Sequence, residues 1–194
     1  MNRQDFLTAI RNGKTNEIDI NEVKDVLKKR GIVKSIMETI RGNNISPDMI
    51  KIGKESIPLL SLASEYGNKK LVKELLYEGA NPDATNVYGT SALMEAVSAN
   101  KPQIVKHLLE YHADPNLAEE HGLTPLIFAV RQSHTQCAKL LLEDPRIDIN
   151  QQEQESGENA LLSALAYTEH SRKKTGKKIF IKKKEVSLVK SLLK

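Results

Sequence analysis

Apolar residues in this chain recur in two alternating rhythms. Leu93, Ala96 and Val97, and again Leu126, Ala129 and Val130, follow helical spacing, which places each set on one face of a short helix. Each run is followed by a second stripe that ends in a Leu pair, Leu108-Leu109 and Leu141-Leu142, and a like pair, Leu75-Leu76, stands one unit earlier. Between helix pairs lie polar stretches rich in Asn, Asp, Gly and Pro, EGANPDATNVYG and YHADPNLAEEHG, which reverse the chain. Sliding the sequence by 33 residues superimposes Gly89 on Gly122, Leu93 on Leu126, Ala96 on Ala129 and the second Leu pair on the third. The opposite shift brings Leu60, Ala63, Leu71, Val72 and Leu75-Leu76 onto Leu93, Ala96, Ile104, Val105 and Leu108-Leu109. A period of this length marks stacked repeats, because one unit cannot bury its apolar face alone. Within a unit, Thr124 before Pro125 predicts the cap of an inner helix; a second helix starts near Thr135 and stops at Asp144-Pro145.

The segments GTSALMEAV and GLTPLIFAV resemble the Gly-x-Thr-Pro-Leu-His-x-Ala-Ala signature of the ankyrin-repeat family, the second more closely. YGNKKLVKELLYEGANPD and NKPQIVKHLLEYHADPN resemble that repeat's second helix and outgoing loop. The resemblance is strong over residues 51 to 164 and implies an all-α, ankyrin-type solenoid of stacked helix-turn-helix units with hairpin-like finger loops. The units are expected at 51–84, 85–117, 118–151 and 152–194. Ser61, Met94, Ile127 and Leu162 replace the signature His, so apolar contact from the last three is expected to stand in for its hydrogen bonds.

The ends depart from the pattern. GENALLSAL resumes the signature 35 residues after the previous one, but the matching second helix, VSLVKSLLK, is delayed by an insertion over 170–185. Residues 1–50 are expected to form an atypical helical cap or a degenerate repeat, with helices in FLTAIRNGK and VKDVLKKRG and a third ending at Gly42.

Charge sharpens this picture. The chain of 194 residues has a formal net charge of +4, yet the eight basic residues Arg172, Lys173, Lys174, Lys177, Lys178, Lys182, Lys183 and Lys184 all lie in the insertion, and the remainder carries −4. Basicity is therefore local, and Thr175-Gly176 before Ile179-Phe180-Ile181 suggests a protruding hairpin. Three readings compete for this patch: first a solvated, mobile loop, next a contact for an acidic protein or anionic lipid surface, and last a nuclear-localisation or nucleic-acid patch.

Candidate chemistry adds little. The chain has no His-Glu-x-x-His, no phosphate-binding Gly-rich loop and no second cysteine, so neither catalysis, a cofactor nor a metal site is expected. Cys137 takes the apolar slot of Ile104 and reads as buried packing. His107 and His112 have no spacing that makes them converge, and His134 sits at a polar position before a second helix that the family often fills with His. Asn116 and Asn150 stand at the family's loop Asn, which some ankyrin proteins present to an asparagine hydroxylase; here they read as turn residues.

The resemblance implies a protein-binding scaffold or adaptor, with partner contacts on finger tips and on the exposed face of the inner helices. Carried over by position, these are Lys54, Glu55, Val87, Tyr88, Glu120 and His121 on the fingers. On the inner helices they are Glu65, Tyr66, Ser98, Ala99, Arg131, Gln132 and Tyr167. Tyr66 and Tyr88 are the leading candidates, since an exposed Tyr supplies contact area and a polar tip. An alternative is the targeting module of a larger enzyme or of a secreted bacterial effector. Without a signal-peptide pattern or an apolar run long enough to span a membrane, a cytoplasmic monomer is expected, in the host cytosol or nucleus if the protein is an effector.

Overall fold

The computed structural model describes residues 1–29 and 31–164. Three helices open the chain: α1 (Arg3–Asn12), α2 (Ile20–Leu27) and α3 (Ile32–Gly42). A 3-10 turn (Pro47–Met49) leads into a small antiparallel hairpin in which β1 (Lys51–Ile52) pairs with β2 (Ile57–Pro58). Then come three helix pairs: α4 (Leu59–Glu65) with α5 (Lys69–Tyr77), α6 (Ala92–Ser98) with α7 (Pro102–Glu110), and α8 (Pro125–Arg131) with α9 (Thr135–Leu142). Residues 160–164 are again helical. The described residues thus form the expected all-α stack.

Local signals set the helix boundaries. The Ser91 hydroxyl accepts from the Met94 N–H at 3.3 Å and the Thr124 hydroxyl from the Ile127 N–H at 3.2 Å, each occupying a donor that the first helical turn leaves without a partner. Asn68 caps α5 the same way. The inner helices end where Gly67, Asn100 and Ser133, spaced by the repeat, take left-handed backbone conformations with φ of 73°, 52° and 57°.

The helices stack in two rows. Inner helices α4, α6 and α8 contact one another in sequence, and outer helices α3, α5, α7 and α9 form the row behind them. The core runs through the junction, where Leu60, Ala63, Leu93, Ala96, Val97, Leu126, Ala129 and Val130 meet Leu71, Leu75, Ile104, Leu108, Cys137 and Leu141, all buried. Small Ala residues at the inner positions let the rows approach closely. The N-terminal arrangement is more specific than the sequence pattern indicated: α3, not α2, extends the outer row, while α1 packs on both α2 and α3.

Two of the residues that replace the signature His behave as expected, with Met94 and Ile127 buried. Leu162 does not: it is 46% exposed. Asp144-Pro145 follows the end of α9 as the sequence suggested.

Gly122 shows how tightly the loops are joined. Its φ is +83°, and a Cβ there would stand 2.8 Å from Gln154 Cγ and 2.9 Å from Gln154 N in the next finger. Gly79 has the same φ with nothing within 4 Å. Gly122→Ala should therefore cost about 2–3 kcal/mol and Gly79→Ala about 1 kcal/mol, as read from urea unfolding midpoints. Equal losses would mean that only the backbone angle matters and that the fingers are not in close contact.

Candidate protein-docking surface

Four loops project from the inner row, and backbone hydrogen bonds tie each to the next. The Val87 N–H donates to Glu55 O at 3.1 Å, the Glu120 N–H to Tyr88 O at 3.0 Å, and the Gln154 N–H to His121 O at 3.1 Å. Each finger also closes on itself. Asn86 Oδ1 accepts from the N–H groups of Tyr88 and Thr90, and one repeat later Glu119 Oε1 accepts from those of His121 and Leu123. The tips are therefore held in a row and not left as independent loops.

A second ladder runs through the turns that lead into the fingers. Asp48, Asp83 and Asn116 each accept, through Oδ1, from the N–H of Asn81, Asp114 and Asp148 respectively, at 2.7–2.8 Å. Within each turn Asn81, Asp114 and Asp148 accept from the N–H two residues on. Asn116 also donates through Nδ2 to Arg146 O at 2.7 Å, so its side chain is a connector between units. The Asn150 N–H is a donor in the same turn pattern.

The residues selected for partner contact fall into distinct environments. Val87 and Tyr88 are 58% and 45% exposed at the second finger tip. Lys54, Ser98, Glu120, His121 and Gln132 are exposed, while Glu55, Glu65 and Ala99 are half-buried. Tyr66 differs from the expectation of an exposed ring: it is half-buried and packs against the core, because it stands at the turn where α4 ends against the following unit. Arg131 is also less free than expected. Its guanidinium grips Glu153 in two parallel bonds at 2.9 and 2.6 Å and reaches Glu158 at 3.2 Å, tying α8 to the fourth finger. That guanidinium, with the Ser156 hydroxyl, holds the Glu153 carboxyl down at about 2. Tyr167 and the basic residues Arg172 to Lys184 lie outside the described residues.

His121 stands between carboxylates, its Nε2 3.4 Å from Glu120 and its Nδ1 3.3 Å from Glu155. Glu119, Glu120 and His121 can bring one ligand atom each within 4.8 Å of the others, a grouping the sequence reading treated as a finger tip only. His134 is structural, with Nδ1 2.8 Å from Val97 O. Cys137 is fully buried, and burial pushes its thiol up to about 11. On the outer row, a cleft of about 530 Å³ lies between Arg41, Lys73, Tyr77, His107 and Tyr111.

Residues 60–153 match the family model described as ankyrin repeats, in three copies. Residues 60–153 are therefore ankyrin repeats. No curated protein matches the chain. Ankyrin repeats are in general protein-interaction modules.

The ankyrin stack carries one surface residue that the sequence reading passed over. Glu95 occupies the position held by Leu62 one unit earlier and by Phe128 one unit later. That break in an apolar column was the available signal. Burial, reinforced by the neighbouring charge of Glu65, pushes the Glu95 carboxyl up to about 7. A carboxyl raised in this way costs the folded state when it ionises: the cost begins as pH passes the ordinary carboxyl value and is complete once pH exceeds about 7. Glu95→Gln should thus stabilise the protein at pH 8 by about 1–2 kcal/mol, with most of the gain gone at pH 5, in paired urea melts. A pH-independent effect would show that Glu95 is solvated like any surface carboxylate.

Proposed function

We propose that the chain is a non-catalytic scaffold or adaptor that holds a partner protein across its finger tips and the exposed face of α4, α6 and α8. The observation that supports this most directly is the pair Val87 and Tyr88, an aliphatic and an aromatic side chain exposed side by side on a finger whose backbone is fixed on both flanks. A rigid, partly apolar tip loses little conformational freedom on binding, so its contact area translates efficiently into affinity. Ser98 and Gln132, both exposed at the ends of successive inner helices, extend the surface with small and polar groups. Arg131 serves the surface indirectly by holding the fourth finger in place. The reading sets the module in a reducing, cytoplasmic compartment, where the lone buried thiol of Cys137 needs no partner. Among the described residues no helix is long and apolar enough to cross a membrane.

The test places a photo-crosslinking amino acid at position 88 or, on the outer row, at position 106 of the full chain in cell lysate. A partner should be captured from position 88 and not from position 106. Val87→Asp with Tyr88→Asp should then weaken that partner's binding about a hundredfold, with the circular-dichroism spectrum unchanged. Capture from position 106 alone would move the docking surface to the outer helices.

A further inference from the structure

The turns that join inner to outer helices form a second edge of the stack, at the opposite end of the inner helices from the fingers. Each turn is tied to its neighbour. Asn68 Nδ2 donates to Leu27 O at 3.4 Å, which sets the α4–α5 turn beside the end of α2. Lys101, in the α6–α7 turn, lies across the α4–α5 turn: a Cβ on Gly67 would meet Lys101 Cε at 3.1 Å and Nζ at 3.5 Å. The start of α9 closes on the α6–α7 turn in the same way, with the Cys137 thiol donating to Asn100 Oδ1 at 3.6 Å and His134 Nδ1 2.8 Å from Val97 O. Lysines collect on this continuous edge. Lys28 and Lys29 follow α2, Lys69 and Lys70 open α5, and Lys101 precedes α7; all are exposed except Lys101, which is half-buried.

Among the described residues, Lys29, Lys69, Lys70 and Lys101 have no ion-pair partner, and Lys28 has only the exposed Asp25 at 3.4 Å. Glu65, at the end of α4, is half-buried. The last described residues approach the same edge. Gly157, Leu161 and Ala164 match Gly122, Leu126 and Ala129, and α8 ends at Arg131, two residues past Ala129. Ala164 is therefore placed by register within two residues of the next turn. Arg172, the first cation of the basic run, follows Ala164 by eight residues. Eight residues of extended chain reach at most about 28 Å. The run lies outside the described residues and enters through its sequence alone: eight Lys or Arg and no acid between 171 and 184, with Ile179-Phe180-Ile181 set between Lys178 and Lys182.

We propose that the turn edge, continued by the basic run, docks the protein on an anionic lipid bilayer. Long lysine side chains on a rigid edge can place their ammonium groups among anionic headgroups while their aliphatic stems stay flexible, and each such charge adds to a field that attracts the next. Charge alone would suit any polyanion. The aliphatic residues of the run decide in favour of a bilayer, because Ile179 and Ile181 beside Phe180 add apolar area that acyl chains accept, and membrane attachment sums buried apolar area with electrostatic attraction. Single-stranded nucleic acid would stack its bases on the one ring and gain little from the two isoleucines. The seven-residue inner helices separate this edge from the fingers by about 10 Å. A bilayer at the turns therefore leaves the finger row clear, and the protein would present its partner on the side away from the membrane.

The test sediments the full chain with vesicles of phosphatidylcholine alone or of phosphatidylcholine with about 30% phosphatidylserine. The chain should bind the anionic vesicles only, and should be released as salt rises from about 0.1 to about 0.5 M. Lys69→Gln with Lys70→Gln, both at exposed positions, should weaken binding about tenfold, and Phe180→Ala about fivefold. Lys54→Gln with Lys106→Gln removes the same charge from a finger and from the outer row, and should change binding by less than about twofold. Circular dichroism checks that each variant keeps its helices. Equal binding to both kinds of vesicle, or binding to neither, would overturn the proposal. So would equal losses in the two double variants, which would show a response to net charge and not to the turn edge. Unchanged binding of Phe180→Ala, or displacement of the chain from the vesicles by DNA duplex of equal total charge, would also overturn it.

Discussion

The inner helices α4, α6 and α8 are seven residues long, too short to persist alone in water because the first helical turn costs more than so few hydrogen bonds return. They exist because each is covered by the next. The same dependence explains the residue choices at their contacts: Ala63, Ala96 and Ala129 keep the rows close, and the Leu pairs of the outer helices fill the space behind them. Among the described residues the buried side chains form one continuous core. The stability of one repeat is consequently a property of its interfaces as much as of its own sequence.

That dependence extends from the helices to the loops. The backbone bonds from Val87 to Glu55, Glu120 to Tyr88 and Gln154 to His121 repeat at the tips what apolar packing does in the core. In the turns, Asp48, Asp83 and Asn116 supply side-chain oxygens to the next unit. Polar loop residues that would otherwise be free to move are thereby fixed, and the finger row becomes one surface. Arg131 completes it by anchoring the fourth finger through Glu153.

Much of the architecture was legible in the sequence, for a physical reason. A 33-residue repetition of Gly89, Leu93, Ala96 and Leu108 samples the same structural environment several times, so chance agreement is averaged out. Thr124 capping α8, the break at Asp144-Pro145 and the packing role of Cys137 could all be read locally. The N-terminal helices were legible as helices, but their places in the rows were not, since α3 joins the outer row through contacts that no repeat announces. Within the docking surface, exposure could be read at Val87 and Tyr88 but not at Tyr66 or Arg131. Whether a ring turns toward the core, or a guanidinium finds Glu153 across 22 positions, depends on three-dimensional proximity that spacing alone does not encode. Glu95 carries the opposite kind of signal, a charged residue in a column otherwise held by Leu62 and Phe128, which is a mismatch in the repeat and not a match.

The row of fingers is a single hydrogen-bonded surface, and native-state hydrogen exchange tests this most directly. The amides of Val87, Glu120 and Gln154 donate between fingers at positions where isolated loops would exchange freely. They should be protected, and should lose protection together with core amides of α6 and α8 as denaturant is raised. Exchange of these three amides at the rate of an open loop, with the helices still protected, would contradict the account.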